Sequence, residues 1–63
     1  MSAVAMARLV REELDDNLKM VETGLIHGAD SWDAYQFALG TRRGLLQAIA
    51  AVDEVTKRFD EQN

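Results

Sequence analysis

Few residues in this chain are of the types that do chemistry, and their spacing decides what they can do. Glu12, Glu13, Asp15 and Asp16 crowd into five positions. Acid–base catalysis needs a carboxylate whose pKa is moved by burial or by a close neighbour. A metal site needs ligands at matching offsets, usually with His or Cys among them. These acids follow one another around a helix face, with no histidine at a ligand offset, and read as a solvated surface. His27 is the only histidine and the chain has no cysteine, so disulfides and Cys-based zinc sites are absent. His27 stands beside Gly28. A histidine can titrate near neutrality, but here it reads as the last turn of a helix.

Arg42 and Arg43 are the strongest basic feature. Paired arginines can hold phosphate or an acidic partner. They can equally pair across a helical hairpin, with Glu13, Asp16 or Asn17 as partners and the Arg42 stem lying along Leu18. Gly40-Thr-Arg-Arg-Gly44 lacks the Lys-Ser/Thr of a phosphate-binding loop and sits within a helical pattern, not after a strand. Trp32 and Tyr35 have the spacing to stack on a base or ligand. At the mouth of a hairpin they close the end of a core or anchor a protein interface, and the sequence leaves those two roles open. No catalytic, cofactor-binding or metal-ligating residue is assigned, and no enzyme activity is expected.

The elements that carry these residues are helical. Proline is absent, and good helix formers dominate. Ala3, Ala7, Val10, Leu14, Leu18, Val21 and Leu25 recur at spacings of three and four, which is one stripe of an amphipathic helix. Ser2 can cap its start and Gly28 can end it in a left-handed conformation. Asp30 or Ser31 can cap a second helix, with Asp30 and Asp33 spaced as in a capping box. There Trp32, Tyr35, Leu39, Arg42, Leu46 and Ile49 continue the three/four spacing; Asp53 would come next, so beyond Ile49 the stripe drifts to Val52 and Phe59, and the polar tail past Phe59 is expected to fray.

The spacing therefore predicts an all-α fold: a two-helix antiparallel hairpin, with helices over 3–27 and 32–60 and a turn over 28–31 centred near Ala29. With that turn, Leu25 should meet Tyr35, Val21 meet Leu39, Leu14 meet Leu46, and Val10 meet Ile49 or Ala50. Gly24 would make room for the Tyr35 ring.

Size sets the remaining question. A chain of 63 residues buries only about 60% of its unfolded surface and is marginal alone. Yet the second helix has more apolar residues than one stripe uses. Phe37, Gly40, Gly44, Leu45, Ala48, Ala51, Val52 and Val55 form a second surface on which small residues would let another helix approach closely. That surface is the expected protein interface, with Trp32 and Tyr35 as candidate anchors. The hairpin is thus expected to be completed by oligomerisation or by docking on a partner.

Other partners fit less well. The net charge is −4, with 11 acids against 7 bases, which disfavours non-specific nucleic-acid binding. The longest uncharged run, Gly44–Val52, has nine residues, whereas a membrane span needs about 20. No stretch near the start has the form of a secretory signal, so export by a signal peptide is not expected.

One resemblance is carried by "LVREELDDNLKMVETGLIHG" followed by "SWDAYQFALGTRRGLLQAIAAVDEV". An acidic first helix, a turn, an aromatic pair and a Tyr–Leu–Gly–Gly–Leu–Ala helix resemble small helical proteins encoded among tailed-bacteriophage structural genes. The matching positions are Trp32, Tyr35, Leu39, Gly40, Gly44, Leu45 and Ala48, and the likeness covers Leu9 to Val55. It implies a multi-copy virion component or assembly factor at the capsid, portal or head–tail connector. The alternative is a small regulatory adaptor or inhibitor, antitoxin-like or anti-repressor-like, acting as a homo-oligomer.

Overall fold

The computed structural model describes residues 2–28 and 30–62, the side chain of Gln62 excepted. The expected turn centre, Ala29, lies outside the described residues. Two helices make up the fold: α1 (Ala3–Ile26) and α2 (Trp32–Gln62). They pack as an antiparallel hairpin, since Arg11 near the open end pairs with Asp53, and Glu22 near the turn pairs with Arg42.

Local chemistry sets the ends. Ser2 caps α1: its hydroxyl accepts from the backbone N–H of Ala5 at 3.0 Å. At the other end the N–H of His27 reaches the carbonyl of Thr23 and that of Gly28 reaches Leu25. Gly28 has φ 91°, a left-handed conformation that a side chain would strain. Ser31, not Asp30, caps α2, accepting from Ala34 N–H at 3.1 Å. Asp33 lies in the first turn, where the helix dipole favours an acid. No glycine or proline follows Gly44, so nothing breaks α2, and it continues through Asp60 and Glu61 instead of fraying after Phe59.

The seam follows a heptad. On α1 the half-buried positions include Val4, Ala7, Arg11, Leu14, Leu18, Val21 and Leu25; on α2 they include Ala38, Arg42, Leu45, Val52 and Thr56, with Ile49 buried among them. This alternation of three and four keeps the two helices in contact along their length. It differs from the expected stripes at instructive places. On α2 the expected run through Leu39, Leu46 and Ile49 would arrive next at Asp53 and draw a carboxylate into the seam. The observed run passes to Val52 and Thr56. Leu45 and Val52, expected on the second face, therefore belong to the hairpin's own seam, and Leu46 is turned outward. On α1 the seam takes Val4 and Arg11 in place of Ala3 and Val10. Thr56 fits because its hydroxyl donates to the Val52 carbonyl at 2.8 Å, which leaves its methyl for the seam.

The register also lies farther along α2 than the turn alone suggests. Val10 shares a recess with Ala51, Val52 and Val55 rather than meeting Ile49. Ala3 and Val4 share another with Phe59. The start of α2 consequently projects past α1, and Gly24 has nothing within 4 Å of where a β-carbon would stand, so it does not make room for Tyr35.

The molecule is a rod of 48 × 17 × 13 Å. Its long dimension is that of α2, since 31 residues at about 1.5 Å each span about 46 Å. The radius of gyration is 14.6 Å, against about 11 Å for a compact chain of this length. Its accessible surface of 4966 Å2 exceeds the roughly 4000 Å2 usual for its mass. Ile49 is the one core residue among those described.

Candidate interaction surface

Two flanks border the seam, and they differ in chemistry. On one, ion pairs cross from helix to helix. Arg11 Nε donates to Asp53 Oδ1 at 3.0 Å while Arg11 Nη1 pairs with Asp15 on its own helix. Arg42 Nε donates to Glu22 Oε2 at 3.0 Å. Arg42 thus pairs internally, with Glu22 in place of the expected Glu13, Asp16 or Asn17. Arg43 has no ion-pair partner among the described residues. The hydrogen bond that Arg11 donates to Asp53 holds its guanidinium still more firmly protonated, against desolvation and with help from the charges of Asp15 and Asp53. These pairs sit half-exposed at the edge of the seam, where water still screens them, so each contributes little net stability. Their effect is to fix which residues meet.

The other flank has no cross-helix ion pair among the described residues. Ala7, Val10, Ala51, Val52, Val55 and Thr56 line a shallow apolar recess of about 290 Å3. A larger hollow of about 460 Å3 lies along Asp53, Lys57, Asp60 and Glu61. It is the open outer surface of one helix between charged side chains, so the smaller apolar recess is the better site for contact. Helical periodicity continues the Val55 side of α2 through Ala51, Ala48, Gly44, Gly40 and Phe37. It continues the Val10 side of α1 through Met6, Glu13, Asn17, Met20 and Gly24, with Glu13 and Asn17 as its polar interruptions.

Along this flank large side chains stand in water. Phe37 is 77% exposed, Met20 72%, Met6 57% and Val55 56%. Of the residues assigned to an interface from sequence, Phe37, Gly40, Gly44, Ala48, Ala51 and Val55 lie together here; Val52 lines the recess from the seam, and Leu45 lies in the seam. Met6, Val10, Met20 and Gly24 join them from α1. Their signal in the sequence was faint, because Val10 was absorbed into the α1 stripe and the two methionines fall between stripe and acidic face.

Trp32 and Tyr35 stack on one another, centroids 5.6 Å apart and planes 28° from parallel. They sit at the projecting start of α2, with Trp32 69% exposed, and so do not close the core. His27 is exposed at the end of α1. Among the described residues no group of three or more His, Cys, Asp or Glu could hold a metal ion, and no helix is long and apolar enough to cross a membrane.

No protein-family model, no curated protein and no solved structure matches this chain.

Proposed function

We propose that this chain is a non-enzymatic protein–protein interaction module that completes its core on another protein surface through the apolar flank. One observation carries this reading: a hairpin in which Ile49 is the one buried residue among those described leaves Met6, Met20, Phe37 and Val55 more than half exposed. Monomeric soluble proteins rarely present so continuous an apolar face. Burial at about 25 cal/mol per Å2 makes covering it favourable by several kcal/mol before ordering costs.

The setting proposed follows the resemblance to small phage proteins: a multi-copy component of a tailed-phage virion or of its assembly. Repetition on a symmetric particle would add avidity to a modest single contact. The second reading is a regulatory adaptor that works as a closed homo-oligomer, and the outline of the flank, long enough for a pair of hairpins, favours it. Fractionation separates the two. A virion component co-sediments with intact particles in fixed copy number; an adaptor stays in the soluble fraction as a small oligomer. A chain that is monomeric and fully folded in both fractions contradicts both.

A further inference from the structure

We infer that the apolar flank is covered by a second copy of the same chain, turned end for end, so that two hairpins form an antiparallel four-helix bundle. This rests on the interaction reading above and names its occupant.

The first ground is size. The hairpin has a 48 by 17 Å outline, so a face of about 800 Å2 is open to a partner, on the order of what one side contributes to a standard stable interface. A second rod of the same length covers it end to end.

The second ground is self-complementarity. In a closed two-fold pair, each residue meets the one equally far on the other side of the axis. The ion pairs Arg11–Asp53 and Glu22–Arg42 share one register, which puts Asp16 and Asn17 level with Gln47 and Ala48. An axis crossing the flank there passes near the middle of both helices at once. It sets Gly40 of one copy opposite Val55 of the other and Gly44 opposite Ala51. Each of these two glycines thus receives a side chain. Nothing inside the chain lies within 4 Å of a β-carbon built on either of them, although glycine within a helix costs about 1 kcal/mol relative to alanine. The same axis sets Phe37 opposite Arg58, a cation beside an aromatic face, with Arg58 Nε 3.8 Å from Glu54 of its own helix.

Distance measurement between spin labels tests it. A label at Asp30→Cys stands at the turn, away from the flank. In the antiparallel pair the two turns lie at opposite ends of the bundle, so the separation should approach the 48 Å length of the rod. A parallel pair would bring the labels within about half of that. Ala51→Glu, exposed in the single hairpin, should weaken pairing at least about 100-fold by placing a charge in an apolar contact. A short label separation, or a dimer indifferent to Ala51→Glu, overturns this inference and leaves the interaction reading in place. A chain ordered only with a different protein does the same. A chain that is monomeric at every concentration and melts as a compact hairpin overturns both.

Discussion

Arg42 and Glu22 meet across the seam at 3.0 Å, and Arg11 and Asp53 repeat that contact toward the open end. Both arginines occupy heptad positions that would otherwise hold apolar side chains. A polar residue in such a position trades stability for a fixed register. Here each arginine stem covers part of the seam while its charge reaches an acid at the edge.

Replacing Arg42 with Met should therefore cost no more than about 1 kcal/mol, the most that a half-exposed ion pair contributes, and the apolar methionine in the seam offsets part or all of that loss. Calorimetry of Arg42→Met checks this. A loss above about 2 kcal/mol would show that the pair carries the fold rather than its register.

Ile49→Ala should be the most damaging single truncation. Ile49 is 8% exposed, and removing a buried isoleucine side chain to its β-carbon costs about 2 kcal/mol or more. In a chain this short that lowers the melting temperature by about 10 °C. Leu46→Ala, one helical turn away but 39% exposed, should cost less than half as much. Thermal melts followed by circular dichroism compare the two; equal losses would place Leu46 in the seam.

The glycines should divide by position. Gly28 has φ 91°, so Gly28→Ala should destabilise the hairpin by about 1 kcal/mol. Gly40 is helical with open space around it. Gly40→Ala should raise the helicity of the dilute chain, worth about 1 kcal/mol, and at the same time weaken association by crowding the partner's Val55. Helicity at low concentration and the dissociation constant at high concentration are the two readouts. A gain in both would place Gly40 outside any contact.

Much of the fold was legible in the sequence. The three/four spacing of Leu14, Leu18, Val21 and Leu25 and the capping serines define two helices and their hairpin. The choice between Leu45 and Leu46 was not legible locally, since both keep an α-helical spacing from Arg42. It is decided farther on, where one stripe ends on Asp53 and the other runs on to Val52 and Thr56. Gly24 shows the same limit. A glycine in a helix announces a close approach, but only the hairpin's register reveals that the approach does not come from Tyr35. The candidate surface on α2 could be assembled from one helix alone. Its α1 half, with Met6, Val10 and Met20, needed the three-dimensional pairing.

Sedimentation equilibrium, with melting curves at the same concentrations, tests the central claim most directly. The claim is that one hairpin leaves more apolar surface in water than it can bury by itself. It predicts a mass rising from 7.0 kDa toward about twice that as concentration increases, with a melting temperature that climbs alongside through mass action. A single 7.0 kDa species at every concentration, melting cooperatively at one unchanging temperature, would contradict it.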